Sequence, residues 1–557
     1  MNYCFECGIK IDETSGFCHS CGAKLQDDAT HTKSTDRASD RKGIIFTNSE
    51  VLAENLGVDK KLLAEIINNY ITTLKTSSIQ YDLLDVAGNI EQNSSWEHHV
   101  QYLRKYFAKL ETQPQYLFII GGHDVIPMPA IPHIDKSFFE KDIDTDLPYV
   151  YLANFAENAE DDNIDAETIC KKYEENIYNL DIFKQEPKLN VGRLPLANDI
   201  TFEEFKNYFE RAATCHPSGI SVNRGYGITQ NSWKFYSQEV CDGLYKRGIF
   251  TKATADLPSL QKYNELHVAP TLLIEEISEK FNNDADFYFF NLHGADAPQQ
   301  PDFYSEENRE KWYSSFVPKL IANSNQNNIF CTGACYGARF KAGDNTVYEK
   351  KLSMLLSAIY NKTVLYFGSS RVAFGGRDFG NDLILGDVIG KSFIDNLLLH
   401  EKTAGQALNQ ARVDVLDTEN LTPHNIITAI EFNVFGDPAL YVTPSQNTFD
   451  RSRIEKLKLS LTQDCSFSVK SLYSSNDSIL DEVRNEVNEN IQKIKTTIQE
   501  KLYKQLNIEP RLLSHILSIN YQHGKELLSF VYANERRNVT IVYTDSTGEI
   551  KSIITSK

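Results

Sequence analysis

The sequence predicts an α/β fold with a mainly parallel sheet and helices on both faces, and three observations lead to it. Short, continuously apolar segments at 115–122, 285–294 and 362–370 are typical of strands buried on both faces. Segments of helical period, such as 62–74, separate such strands. The alternation continues from about residue 43 to Pro444, so crossover connections between parallel strands are expected.

The composition is that of a folded chain with more than one domain. With 557 residues, 41% hydrophobic and 11% aromatic, two to four domains are expected. The net charge of -19 argues against a nucleic-acid scaffold, because phosphate binding needs a basic face. No apolar run approaches the length of a membrane span. We therefore expect no membrane partner, and nucleic acid is a disfavoured one.

Two C-x-x-C pairs stand at the start of the chain, each followed by glycine. Their spacing predicts a zinc ribbon over residues 1–25, in which four thiolates hold one tetrahedral Zn²⁺. So short a segment has almost no apolar core, so the metal supplies most of its folding free energy and the zinc is structural. The predicted ligands are Cys4, Cys7, Cys18 and Cys21.

Changes in composition and hydrophobic pattern divide the rest of the chain into predicted units. The segment 26–42 is polar and reads as a flexible linker. After Pro444 a long polar helix is predicted at 481–506, followed by a meander of strands. The predicted units after the linker are an N-terminal α/β subdomain at 43–215, a second α/β subdomain at 216–445, and a small C-terminal α+β domain at 446–557.

Two strand ends in the second subdomain carry residues able to do chemistry. His293 and Gly294 directly follow one apolar strand, and Cys335 lies in a loop of small residues after the next one. In parallel sheets, functional residues gather at the carboxyl ends of strands. Cys331 lies inside its strand among bulky apolar residues, where a thiol has neither access nor a base. The sequence therefore predicts that Cys331 is packing and Cys335 a nucleophile.

Several fragments together carry a family resemblance. The stretch ACYG at 334–337 looks like the A-C-x-G nucleophile signature of caspase-like (clan CD) cysteine peptidases, and a strand ending in His-Gly precedes it, as in that group. Five further fragments, in the expected order between about residues 43 and 442, resemble the gingipain-type branch more narrowly. They are YLFIIGGHDVIP, LNVGRLPLAN, VLYFGSSRVAFGG, AGQALNQARVDVL and EFNVFGDPAL.

The resemblance implies a cysteine endopeptidase with a caspase/gingipain-like fold and a protein or peptide substrate. His293 would act as general base toward Cys335 and as general acid toward the leaving amine. The backbone N–H groups of Gly294 and Cys335 would stabilise the oxyanion. Glycine after the histidine fits this role, because a Cβ there would crowd the substrate carbonyl.

The resemblance also implies a preference for cleavage after arginine or lysine. In EKDIDTDLPYVYL, Asp146 best matches the aspartate that lines the primary specificity pocket in enzymes with that preference. Alternatively, the acids of this stretch solvate a loop or bind calcium. A preference for aspartate would instead need pocket arginines, for which Arg339 and Arg371 are available.

Other candidates are weaker. Asp135 and Glu140 are candidates for a carboxylate that orients the catalytic histidine. His123 also follows a strand and two glycines, but no nearby cysteine sits in a comparable loop, so a structural role is expected. The acidic run at 157–167 reads as a solvated loop, with Ca²⁺ as the other reading.

Known gingipains are secreted, whereas the N-terminal sequence MNYCFECG lacks the pattern of a secretory signal, so a cytoplasmic location is expected. A cytoplasmic peptidase needs control, so we hypothesise that the zinc ribbon or the C-terminal region binds a regulatory partner or holds the enzyme inactive. Two other interpretations stay open, a catalytically silent caspase-like scaffold and a zinc-ribbon adaptor. The natural substrate, the trigger and the oligomeric state do not follow from the sequence.

Overall fold

The computed structural model describes part of the chain, and every statement below refers to that part. The predicted zinc ribbon, the acidic run at 157–167 and the predicted helix at 481–506 lie outside it. The described residues are 41–75, 79–92, 94–133, 140–151, 189–254, 264–269, 284–296, 301–307, 311–321, 327–377, 382–418, 421–443, 511–516, 527–533, 539–545 and 550–556.

A large, mainly parallel sheet forms the centre of the protein, as predicted. Its first strand begins at Arg41, two residues before the predicted start of the α/β region at residue 43. Its strands in the described residues are β1 (Arg41–Thr47), β2 (Ile79–Asp85), β3 (Tyr116–Ile120), β6 (Asn190–Leu194), β7 (Gly225–Gln230), β8 (Lys252–Thr254), β9 (Glu265–Ala269), β10 (Phe287–Asn291), β14 (Asn328–Thr332), β15 (Thr363–Ser369) and β18 (Phe432–Gly436).

The strand order of this sheet is β2-β1-β3-β6-β18-β15-β14-β10-β7-β9-β8. The strands from β2 to β6 pair parallel, and so do the strands from β15 to β8. Strand β18 lies between these two groups and is antiparallel to β15. The carboxyl ends of β7, β10, β14 and β15 therefore meet at one edge. The loop after β3 lies near this edge, because the Thr145 N–H donates to the Pro129 carbonyl and Ser370, just after β15, donates to the Asp144 carbonyl.

Helices flank the sheet and bury one side against it. The predicted helical segment 62–74 falls within α2, which Asp59 caps by accepting a hydrogen bond from the Lys61 N–H. None of the described helices is long and apolar enough to cross a membrane. The helices are α1 (Ser49–Leu56), α2 (Lys60–Leu74), α3 (Trp96–Phe107), α4 (Leu147–Val150), α5 (Phe202–Cys215), α6 (Lys234–Val240), α7 (Asp242–Lys246), α8 (Met354–Asn361), α9 (Gly386–Leu398), α10 (Ala404–Leu416) and α11 (Pro423–Glu431).

Smaller sheets surround the centre. One is a hairpin, β4 (Ala130–Pro132) with β5 (Asp142–Asp144). Another joins β11 (His293–Gly294), β12 (Phe303–Glu307) and β13 (Lys311–Phe316).

The C-terminal strands form the predicted meander, and its last strand pairs with a strand that follows β15. The strands β19 (Arg511–Ile516), β20 (Leu527–Ala533), β21 (Val539–Asp545) and β22 (Ile550–Ser556) pair antiparallel in sequence order. Strand β22 also pairs with β16 (Phe374–Arg377), which in turn pairs with β17 (Leu383–Leu385). The C-terminal meander is therefore hydrogen-bonded to the segment that follows β15.

Candidate functional site

The two cysteines of the stretch NIFCTGACYG have different surroundings. Cys331 lies within β14, is 1% exposed, and packs in the hydrophobic core. Burial raises the pKa of its thiol well above the usual value, so a thiolate is disfavoured there. Cys335 lies beyond the end of the strand, in the loop at the sheet edge, and is also buried, at 4% exposure. The two residues therefore differ in position, one inside the strand and one in the loop after it, and the predicted role of Cys335 stays a prediction.

The loop that carries Cys335 is fixed by backbone hydrogen bonds. The Gly333 N–H donates to the Phe290 carbonyl of β10 at 2.9 Å, and the Tyr336 N–H donates to the Arg371 carbonyl at 2.8 Å. Tyr336 has a φ of 55°, in the left-handed region that a side chain rarely adopts. The Cys335 thiol donates to the Ala373 carbonyl at 3.5 Å. The nucleophile candidate is thus held at a sharp turn, with its thiol engaged by the segment before β16.

His293 and Gly294 lie directly against this loop. They form β11, which pairs with β12 so that His293 is opposite Tyr304 and Gly294 is opposite Phe303. A Cβ placed on Gly294 would lie 1.7 Å from the Cys335 carbonyl oxygen and 3.3 Å from its nitrogen. The close approach requires glycine, because any side chain would collide with backbone. The structure therefore brings the two strand ends together at one edge of the sheet.

Two side chains surround the His293 imidazole. The Trp233 ring meets it edge-on, with centroids 4.5 Å apart. The Glu306 Oε2 lies 3.8 Å from His293 Nε2, and the two side chains are 9% and 4% exposed. The sequence analysis missed Glu306, because it lies in a hairpin strand with no motif around it. Trp233, in the short helical turn after β7, was also missed, because no motif surrounds it.

Of the two carboxylates considered for orienting the histidine, Glu140 lies within the described residues. Asp135 lies outside the described residues. Glu140 accepts a hydrogen bond from the Val372 N–H at 3.3 Å. Burial raises the pKa of Glu140, and Arg371 and a hydrogen bond from Tyr336 oppose that rise. Glu140 therefore supports the loops around Cys335, and Glu306 is the carboxylate beside the histidine.

A small cavity opens beside Cys335. Among the described residues that line it, the one acid is Asp302, which accepts a hydrogen bond from Ser314 Oγ at 2.6 Å. Burial raises the pKa of Asp302. The cavity also holds one guanidinium, Arg339, which pairs with Asp296. Other lining residues are Gly294, Tyr348 and Met354.

Asp146 has an internal partner. Its carboxylate accepts from Arg193 Nη2 at 2.6 Å and from Arg193 Nε at 2.9 Å. Both residues are buried, with Arg193 fully enclosed. Asp146 does not line the cavity beside Cys335. Contact with a substrate cation would require this buried pair to break, so the geometry gives the expected pocket role of Asp146 no support.

The arginines considered for an aspartate pocket are also paired. Arg371 Nη2 lies 2.8 Å from Asp144 Oδ2, and Lys341 Nζ lies 2.7 Å from Asp144 Oδ1. Arg339 donates from Nε to the Lys341 carbonyl at 3.0 Å. Of the two predicted arginines, Arg339 lines the cavity and Arg371 does not.

His123 lies at the carboxyl end of β3, with no cysteine beside it. The Met128 N–H donates to its Nδ1 at 3.2 Å. Burial, with Lys341 and Arg193 nearby, lowers the pKa of His123 to about 4. A neutral imidazole that accepts a backbone hydrogen bond is a structural element, in line with the expectation.

No described group of three or more His, Cys, Asp or Glu residues is placed to hold a metal ion. The four predicted zinc ligands lie outside the described residues, as does the acidic run considered for Ca²⁺.

Comparison with known proteins gives a family and two similar structures. The model of peptidase family C25 matches residues 63–443. The crystal structure of the Arg-specific cysteine proteinase gingipain R (RgpB) is 10% identical, with a TM-score of 0.45 over 93% of this chain and 98% of that one. The complex of the Porphyromonas gingivalis RgpB pro- and mature domains is 11% identical, with a TM-score of 0.45 over 93% and 99%. Curated protein sequences gave no match.

Proposed function

Because the chain belongs to peptidase family C25, a family of cysteine peptidases, we propose that it hydrolyses peptide bonds through a dyad of Cys335 and His293. The observation that carries the proposal is the approach of Gly294 to the backbone of Cys335. This contact joins the strand end that carries the histidine to the loop that carries the thiol.

In the proposed reaction, His293 takes the proton of the Cys335 thiol, and the thiolate sulfur attacks the substrate carbonyl carbon. The N–H groups of Gly294 and Cys335 donate to the oxyanion that forms. The C–N bond then breaks as the imidazolium protonates the leaving amine, and a thioester remains. Water, deprotonated by His293, hydrolyses the thioester and frees the thiol. Before attack, the thiol must leave the Ala373 carbonyl to which it donates.

The dyad is tested by comparing wild type with Cys335→Ala on fluorogenic peptides that vary the residue before the scissile bond. Cys331→Ala is the matched control, since Cys331 is a buried thiol four residues away. We expect cleavage by wild type and by Cys331→Ala, and none by Cys335→Ala. Cleavage by Cys335→Ala would refute the dyad.

If no variant cleaves, a peptide probe that alkylates active-site cysteines separates a latent enzyme from a silent scaffold. Labelling of wild type but not of Cys335→Ala would indicate latency. Absence of labelling in both would favour the scaffold.

Within this function we propose cleavage after a basic residue. The support is Asp302, a partly desolvated acid in the cavity beside Cys335, whose raised pKa a substrate cation would lower again. The alternative is cleavage after an acidic residue, whose side chain would displace Asp296 from Arg339. On the same peptide panel, Asp302→Asn should reduce cleavage after Arg and Lys and spare cleavage after neutral residues. A preference for Asp or Glu peptides, lost in Arg339→Gln, would establish the alternative.

We also propose that the C-terminal domain regulates the peptidase. The support is the pairing of Phe374 with Ser556 and of Gly375 with Thr555. These pairs come directly after Ala373, whose carbonyl accepts a hydrogen bond from the Cys335 thiol. Removal of residues 446–557 should then raise activity by freeing this segment. A milder variant, Thr555→Pro, weakens the same pairing and should act in the same direction. Unchanged activity in both variants would exclude this role.

The N-terminal cysteines remain a proposed zinc site, and the cytoplasm a proposed location. Purified protein should contain one zinc per chain, and a variant with Cys18 and Cys21 replaced by serine should contain none. Peptidase activity that is unchanged in that variant, with and without candidate partners, would count against regulation by the ribbon.

A further inference from the structure

We propose that Glu306 is the positioning residue of the active site, holding His293 in the tautomer and orientation that its reaction with Cys335 requires. This inference rests on the proposed dyad and adds a third member to it. Glu306 comes from the hairpin β12–β13, whereas the histidine and the cysteine come from the ends of β10 and β14.

The contact between the two side chains is buried and directed at one nitrogen. Glu306 Oε2 lies 3.8 Å from His293 Nε2, which is within ion-pair distance and too long for a hydrogen bond. Catalytic hydrogen bonds are often long before substrate binds and shorten in the complex. With both side chains less than a tenth exposed, water screens the attraction weakly.

The position of Glu306 is itself fixed from the end of β7. Gln230 donates from its side-chain Nε2 to the Glu306 carbonyl at 2.9 Å and accepts from the Glu306 N–H at 3.0 Å. Gln230 is 2% exposed, so this pair of hydrogen bonds is enclosed. Trp233, three residues further along, packs edge-on against the His293 ring. One short segment therefore locates both the carboxylate and the imidazole plane.

The chemical consequence follows from which nitrogen the carboxylate meets. A carboxylate at Nε2 favours the tautomer with its proton on Nε2 and restrains the rotation of the ring. Once His293 has taken the thiol proton, the same carboxylate stabilises the imidazolium. Neither effect requires Glu306 to touch the substrate, so its role is positioning.

The first test is Glu306→Gln, which keeps the size of the side chain and removes its charge. We expect kcat/KM to fall by on the order of 100-fold, within the range that general acid–base catalysis contributes. KM should change little, because Glu306 is not assigned a substrate contact. The loss should therefore appear in kcat, whereas a general loosening of the site would also raise KM.

A second set of variants separates positioning from folding. Glu306→Asp keeps the charge and should recover part of the lost activity. Gln230→Ala removes the two hydrogen bonds that hold Glu306 and should give a smaller loss, again in kcat and not in KM. Glu203→Gln, a surface carboxylate paired with Lys206, is the matched control and should behave as wild type. Melting temperatures identify any variant that fails to fold.

The rate of Cys335 alkylation by iodoacetamide at neutral pH gives a readout that does not need turnover. In Glu306→Gln the imidazole is no longer held in place to take the thiol proton, so alkylation of Cys335 should be slower than in wild type. Wild-type kcat/KM and an unchanged alkylation rate in Glu306→Gln, with Cys335→Ala inactive, would overturn the proposal for Glu306 alone. Activity in Cys335→Ala would instead overturn the dyad, and with it this inference.

Discussion

Two strand ends of this protein look alike in sequence and differ in what surrounds them. One is IIGGHD, where β3 ends and His123 follows two glycines, and the other is FFNLHG, where β10 ends and His293 precedes a glycine. At the first, Arg193 donates to the carbonyls of Gly121 and Ile126 and pairs with Asp146. At the second, Gly294 approaches Cys335 and a carboxylate faces the imidazole.

The difference shows that the charges around a histidine, more than its local motif, determine what it can do. Cations near His123 add to its burial and lower its pKa to about 4, so it stays neutral and accepts a backbone hydrogen bond. His293 instead has the Glu306 carboxylate 3.8 Å from its Nε2. The β3 end therefore places cations near its histidine, whereas the β10 end places a carboxylate beside its histidine.

The largest expected effect is on stability, at the β3 end. Arg193→Met leaves the Asp146 carboxylate buried without its partner and removes two hydrogen bonds to the loop that carries His123. Breaking a buried ion pair in this way costs about 3–5 kcal/mol of unfolding free energy. Urea unfolding of Arg193→Met against wild type measures this cost.

The matched control is the double variant Arg193→Met with Asp146→Leu, which removes both charges and should recover much of the loss. Glu306→Gln, at the other strand end, should affect activity far more than stability. An Arg193→Met variant with wild-type stability would show that the β3 end does not depend on this pair.

The next largest effect is on activity, and a comparison of alanine variants of Gly294 and Gly122, the glycines beside the two histidines, measures it. In Gly294→Ala, the new Cβ meets the Cys335 carbonyl carbon at 2.8 Å and its oxygen closer still, so the backbone must move. A displacement of about 1 Å at reacting groups can cost about 100-fold in rate, which is the loss expected in kcat/KM.

In Gly122→Ala, the nearest atom is Asp124 Oδ1 at 2.7 Å, the end of a side chain that can rotate. This control should keep activity within about twofold, because relief by side-chain rotation leaves the active-site geometry unchanged. Equal kcat/KM losses in the two variants would mean that the contact with Cys335 has no special role.

The sequence was sufficient to predict the parts that depend on local pattern. Continuously apolar strands predicted the mainly parallel sheet, which the structure confirms. The small residues after β14 correctly place Cys335 in a loop, and its role as nucleophile stays a prediction. Long-range pairings could not be read in this way. Asp146 meets an arginine 47 residues further along, and Glu306 reaches the histidine through a hairpin held by Gln230. Which charges meet depends on how the strands are packed, and no local spacing encodes it.

The C-terminal meander illustrates the same limit. Its strands β20 to β22 were predictable from alternating and β-branched residues. The pairing of β22 with β16 was not, because hydrogen bonds along a strand edge are made by backbone and leave no signature in side chains.

The smallest expected effect concerns the pH dependence of stability and returns to His123. Its pKa is about 4 in the folded chain and about 6.5 when unfolded. Between these values the unfolded state binds more protons, so wild type loses stability as the pH falls from about 6.5 to about 4. His123→Gln keeps an acceptor for the Met128 N–H and does not titrate. Its melting temperature should therefore fall less than that of wild type between pH 7.5 and pH 5, by a degree or two.

His424 stays in both proteins as an internal reference, because burial also lowers its pKa, to about 3, and it continues to add acid sensitivity. The acid dependence of His123→Gln should thus be reduced and not abolished. Parallel melting curves for the two proteins across this pH range would mean that His123 takes up a proton without unfolding. In that case burial and the nearby cations would not keep His123 neutral. The two strand ends would then differ only in that Cys335 and Gly294 lie at the end of β10.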